Sequence, residues 1–124
     1  MKHIVIVDDD PGIQEAFPMI FDQEDFKITV FSNGAPLLQD EFILPDLFIL
    51  DKQLSGIDGL DICRFLKSKK STHDIPVIML SANPNITRLA PEAGADDTLE
   101  KPFKLATLRA MVDKYLNKSY STMQ

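Results

Sequence analysis

Cysteine is nearly missing from this chain. Cys63 stands alone, so no disulfide can form within it, and a reducing compartment fits that usage. Positive charge is in the minority: 13 Lys and Arg against 19 Asp and Glu leave a net charge of -6. That balance argues against binding nucleic acid through its phosphates. No apolar run approaches the roughly 20 residues of a membrane-spanning helix. Met1-Lys2-His3 leads straight into a strand-like run and lacks the apolar core of a signal peptide. The sequence holds no internal repeat, low-complexity tract or interdomain linker. These absences predict a cytoplasmic protein with no membrane insertion and no direct nucleic-acid contact. The chain of 124 residues, 44% hydrophobic and 26% charged, suits one domain around one core.

The most informative stretch runs from Pro45 to Gly59. Leu47-Phe48-Ile49-Leu50 is an unbroken apolar run, the mark of a strand buried on both faces, and it stops at Asp51. Ile4-Val5-Ile6-Val7 is a second such run, ending in Asp8-Asp9-Asp10. Pro76-Val77-Ile78-Met79-Leu80 is a third, ending at Ser81. Two more polar segments, Lys27 to Phe31 and Asp97 to Glu100, read as edge strands. Helical patterns separate the strands. Asp10 before Pro11 is a helix start, with Ile13, Phe17, Ile20 and Phe21 on one face and Pro18 predicted to kink or break the helix. Ala35 to Phe42 reads as a short helix opened by Pro36. Asp58 caps a helix from Gly59 whose inner face is Leu60, Ile62, Cys63 and Leu66. Pro84 and Pro91 limit the next helix to a turn or two. Leu105, Leu108, Val112, Tyr115 and Leu116 form the stripe of the last.

Five βα repeats imply a parallel sheet covered on both faces. With the three most apolar strands central, the strand order is 2-1-3-4-5. Strands one and three are then neighbours, and Asp8, Asp9 and Asp51 meet at the carboxyl edge. Three carboxylates at close range repel unless a cation joins them. Mg²⁺ suits such a site, since it takes oxygen ligands and commonly pairs one or two carboxylates with a phosphate. Ser81 and Lys101 reach the same edge from strands four and five. Carboxylates, a hydroxyl and a cation together suit phosphoryl transfer to a carboxylate.

Asp8-Asp9, Asp51 with Gly56-Ile57-Asp58-Gly59, Ser81-Ala82, and Gly94-Ala95-Asp96-Asp97 leading to Lys101-Pro102-Phe103 resemble, in order and over nearly the whole chain, the receiver domain of two-component response regulators. The resemblance implies the flavodoxin-like receiver fold over residues 1–118, with a frayed tail at 119–124. It implies that Asp51 accepts phosphate from a sensor histidine kinase or histidine phosphotransfer protein. The metal, Mg²⁺ or Mn²⁺, would be held by Asp8, Asp9, Asp51 and the backbone carbonyl of Gln53. Ser81 would turn toward the phosphoryl group, Lys101 would pair with it, and Lys101-Pro102 would be cis. Such a domain is not an enzyme in the ordinary sense, because it catalyses only its own phosphorylation and dephosphorylation. Its output is an altered contact with a downstream protein, and no DNA-binding domain is expected after the last helix.

Several positions depart from the family pattern. Thr98 stands where Tyr or Phe is usual, and it is too small to fill an aromatic's pocket, so the usual switch is expected to change. Ser55-Gly56 replaces a frequent Pro. Gln53 and Asn83 flank the expected phosphoryl site. Two other functions compete. One is a receiver-like binding module with weakened switching. The other is a haloacid-dehalogenase-like phosphatase using Asp8-Asp9-Asp10, although Pro11-Gly12 follows where that family has Gly-Thr or similar. Structural roles are expected elsewhere: Asp10 and Asp58 as caps, Cys63 in the core, Lys67, Lys69 and Lys70 on a solvated helix end, and Asp96-Asp97 in an exposed turn. His3 and His73 receive no chemistry.

Overall fold

The apolar runs form the centre of a five-stranded parallel sheet. A computed structural model describes residues 1–21 and 24–116. The expected domain end at residue 118 and the tail at 119–124 lie outside the described residues. The strands of the sheet are β1 (Lys2–Val7), β2 (Phe26–Phe31), β3 (Leu47–Asp51), β6 (Val77–Ser81) and β7 (Asp97–Glu100), in the order β2-β1-β3-β6-β7. This is the expected 2-1-3-4-5 topology. The numbering is displaced by a two-residue antiparallel ribbon after β3, formed by β4 (Gln53–Leu54) and β5 (Ile57–Asp58), where the sequence reads only as loop.

Period-two alternation splits the core into two layers. Val5, Val7, Phe48, Leu50, Val77 and Met79 face α2 (Ala35–Leu38), α3 (Gly59–Ser68) and α4 (Ile86–Glu92). Ile4, Ile6, Leu47, Ile49, Ile78 and Leu80 face α1 (Pro11–Ile20) and α5 (Leu105–Leu116). Cys63 is fully buried in the first layer, and its thiol donates to the Ala93 carbonyl at 3.4 Å.

The caps sit where the sequence puts them. Asp10 accepts from the Gly12 N–H and Asp58 from the Leu60 N–H, each at 2.9 Å. The α4 helix has seven residues, about two turns, with Pro91 inside it. Other expectations need correction. Of the two outcomes expected at Pro18, a kink or a break, the break does not occur: α1 continues through it to Ile20. Proline there removes one hydrogen bond, but Phe17 and Phe21 are each 1% exposed, and Phe21 packs on Phe26 with ring centroids 5.1 Å apart. Burial of two aromatic rings outweighs a proline cost of about 3 kcal/mol. The α2 helix stops at Leu38 rather than Phe42. Leu105, first residue of α5, is 55% exposed and leaves the buried stripe to Leu108, Val112 and Leu116.

Lys67 and Asp96 are not simply solvated. Lys67 Nζ donates to the carbonyl of Ile75 at 2.8 Å and to Asp96 Oδ2 at 2.9 Å, and the same Oδ2 accepts from the Val77 N–H at 2.8 Å. Together they fasten the end of α3 to the starts of β6 and β7. Asp97 lies within β7 and accepts from the Tyr115 hydroxyl at 3.0 Å, tying α5 to that strand. Lys69 pairs with Asp40. His3 also has a structural role, with its ring Nε2 2.8 Å from Thr29 Oγ1.

Candidate functional site

Register assembles the site. Val7 lies opposite Leu50 in the parallel pair β1–β3, so the next residues, Asp8 and Asp51, emerge side by side at the carboxyl edge. Ser81 ends β6 opposite Glu100, and the Lys101 N–H donates to the Ser81 carbonyl at 2.8 Å. The Lys101-Pro102 peptide is cis. On the far side, α3 begins against the end of β3. The Gly59 N–H donates to the Lys52 carbonyl at 2.8 Å, and a Cβ on Gly59 would lie 2.0 Å from the Asp51 carbonyl oxygen. Only glycine permits that approach.

The three carboxylates differ sharply in environment. Asp8 is fully buried and both of its oxygens are engaged: Oδ1 accepts from the Asp10 N–H and Oδ2 from Lys101 Nζ, each at 2.9 Å. Asp9 is exposed, and its Oδ2 lies 3.4 Å from the Ser55 hydroxyl. Asp51 is 4% exposed; its Oδ2 sits 3.5 Å from Lys101 Nζ, while Oδ1 is buried without a hydrogen-bond partner. Burial pushes the Asp51 carboxyl above its ordinary range. The Asp8 charge adds to that, and Lys101 and the Gln53 backbone pull the other way. Burial lowers Lys101, but its contacts with Asp8 and Asp51 outweigh this and hold the ammonium above its usual value.

One ligand oxygen from each of Asp8, Asp9 and Asp51 can be chosen so that all three lie within 4.8 Å of one another. A hard divalent ion binds oxygens at about 2.1 Å, so small side-chain adjustments would let these three reach one ion, which would take its remaining ligands from elsewhere. The donor set is all oxygen, and the partnerless Asp51 Oδ1 gives a cation a reason to be there. The residues therefore fit a hard divalent ion.

Ser81 is buried, and its Oγ accepts from the Asn83 N–H at 3.0 Å. Gln53 belongs to the ribbon, paired with Asp58. Beside the carboxylates a cleft of about 420 Å³ is lined by Asp9, Lys52, Gln53, Leu54, Ser55, Ile57 and Asp58. Two features of it escape sequence reasoning. Beyond its expected cap on α3, Asp58 pairs through its second oxygen with Lys52 Nζ at 3.1 Å. The ribbon tip brings Ser55 to Asp9, 46 residues away in sequence. Neither leaves a local signal, because both depend on how the ribbon folds. Gln14 likewise supports Asp8, donating from Nε2 to its backbone carbonyl at 2.7 Å.

This constellation, on this topology, defines a class. The chain belongs to the response regulator receiver domain family, whose profile matches residues 4–113. It is a receiver domain of two-component response regulators. It is 35% identical over 121 residues to the DNA-binding response regulator MtrA of Mycolicibacterium smegmatis, covering 95% of this chain and 52% of the relative. The chain thus spans about half the length of the curated relatives it matches. Among solved structures, it resembles a putative response regulator from Chloroflexus aurantiacus, with a TM-score of 0.83, 32% identity and coverage of 93% of this chain and 97% of the other. It also resembles the BeF3-activated DrrB receiver domain, with a TM-score of 0.83, 31% identity and coverage of 94% and 98%. Among the described residues, no helix is long and apolar enough to cross a membrane.

Proposed function

We propose that Asp51 is the phosphoacceptor of this receiver domain, taking a phosphoryl group from a phosphohistidine on a sensor histidine kinase or histidine phosphotransfer protein in the cytoplasm. The observation that carries this reading is the contrast between two neighbouring carboxylates. Both Asp8 oxygens are held by donors, whereas Asp51 has a buried oxygen with no partner. That contrast favours Asp51 over Asp8 as nucleophile, and with it a signalling module over a phosphatase built on Asp8.

In the transfer, an Asp51 carboxylate oxygen attacks phosphorus as the histidine N–P bond breaks, giving an aspartyl phosphate and a free imidazole. Lys101 already bridges Asp8 and Asp51 and would stay beside the incoming negative charge. Ser81 lies at the next strand end, where its hydroxyl could donate to a phosphoryl oxygen once turned. Asp8, Asp9, Asp51 and the Gln53 carbonyl would hold Mg²⁺ or Mn²⁺, which when bound neutralises charge shared by carboxylate and phosphoryl oxygens. Output would follow as altered contact with a downstream protein. Thr98, half-buried on β7, gives that output a smaller moving part than an aromatic would.

The test is incubation with Mg²⁺ and acetyl phosphate, followed by intact-mass measurement. Wild type should gain one phosphoryl group, and Asp51→Asn should gain none. An Asp51→Asn variant that is phosphorylated as fully as wild type would overturn the assignment.

A further inference from the structure

The ribbon tip carries a residue that none of the roles above uses. Ser55 and Gly56 form the two-residue turn between β4 and β5, and Gly56 has a φ of +83°. The fold of this turn, with positive φ at its second residue, accepts proline at its first. Serine is therefore not required by turn geometry. Its hydroxyl points across the cleft to Asp9 Oδ2 at 3.4 Å. Asp9 is the exposed member of the acidic cluster, whereas Asp8 is pinned by two donors. Ser55 is its one hydrogen-bond donor among the described residues.

We infer that Ser55 is a positioning residue for the metal site: by holding Oδ2 of Asp9, its hydroxyl restricts the rotamer of the carboxylate that joins Asp8 and Asp51 in the acidic cluster. An exposed carboxylate otherwise samples several rotamers, and each must be given up when a ligand sphere closes. Restricting Asp9 beforehand lowers that cost. The contact is long for an O–H···O bond, so its effect is modest. This inference rests on the reading of Asp8, Asp9 and Asp51 as the ion site.

The experiment is a Mg²⁺ titration followed by backbone amide shifts, without any phosphodonor. Ser55→Ala should weaken Mg²⁺ about threefold, the effect of one modest hydrogen bond. Ser55→Thr, which keeps the hydroxyl, should restore wild-type affinity. Ser55→Pro, which keeps the turn but has no hydroxyl, should match Ser55→Ala. Unchanged affinity in Ser55→Ala, or wild-type affinity in Ser55→Pro, would overturn the role of the hydroxyl while leaving the ion site intact. Absence of Mg²⁺ binding by wild type would instead overturn the ion site itself.

Discussion

Lys101 Nζ sits 2.9 Å from Asp8 Oδ2, joining the end of β7 to the end of β1 across the β3 and β6 strands between them. Asp8 has no solvent contact, so this cation is the main charge compensating it. Replacing Lys101 with Met leaves a buried carboxylate uncompensated, and such losses cost about 3–5 kcal/mol. Urea denaturation at neutral pH should show that loss. Adding Asp8→Asn should recover part of it, because the charge to be compensated is gone. A cost under about 1 kcal/mol would place the pair with exposed salt bridges.

Asp51 should behave in the opposite way. Burial and the Asp8 charge raise its carboxyl above the usual value of 3.8. The folded state then binds the Asp51 proton more tightly than the unfolded state does. Stability from this group is therefore present at low pH and lost as pH rises from 3.8 through the raised folded-state value. Asp51→Asn should stabilise the metal-free protein at pH 7, because it removes the charge that burial and Asp8 disfavour. The gap between variant and wild type should close as pH falls below that window. Saturating Mg²⁺ should reverse the order, since it binds and stabilises folded wild type far more than the variant. Thermal unfolding against pH, with and without Mg²⁺, reads both effects.

Gly59 and Gly56 separate two kinds of glycine requirement. A Cβ at Gly59 meets the Asp51 carbonyl at 2.0 Å, and backbone cannot move aside as a side chain can. Gly59→Ala should destabilise by about 2 kcal/mol or more and disturb the Asp51 amide signals. Gly56 has open space around its Cβ direction but a φ of +83°. Gly56→Ala should cost about 1–2 kcal/mol, from backbone strain alone. Chemical denaturation of both variants would show the ranking.

Cys63 should be inert in the folded protein. Burial pushes its thiol up to about 11, so little thiolate exists near neutral pH. A thiol reagent at pH 8 should leave the native chain unmodified and label it fully in denaturant. Rapid native labelling would show that the first core layer opens readily.

The apolar runs made the sheet legible, because a strand buried on both faces has no polar positions to confuse it. Asp10-Pro11 and Asp58-Gly59 marked helix starts through chemistry confined to a few residues. The convergence of Asp8, Asp51, Ser81 and Lys101 followed from strand order alone. What stayed hidden was short or long-range. Strands of two residues, as in the β4–β5 ribbon, give no alternation to detect. Lys67 reads as a surface lysine until β6 and β7 bring it an acceptor and a counter-charge. Pro18 reads as a breaker because the packing of Phe17, Phe21 and Phe26 that holds α1 together is tertiary.

The central claim is that strand ends gather an ion site around one modifiable carboxylate. It is tested most directly by two-dimensional NMR of the ¹⁵N-labelled protein with Mg²⁺ and beryllium fluoride, a mimic of the phosphoryl group. The mimic should bind only when Mg²⁺ is present, with the largest shifts at Asp8, Asp9, Asp51, Ser81 and Lys101, and Asp51→Asn should abolish them. Unchanged spectra for wild type, or the same shifts in Asp51→Asn, would contradict it.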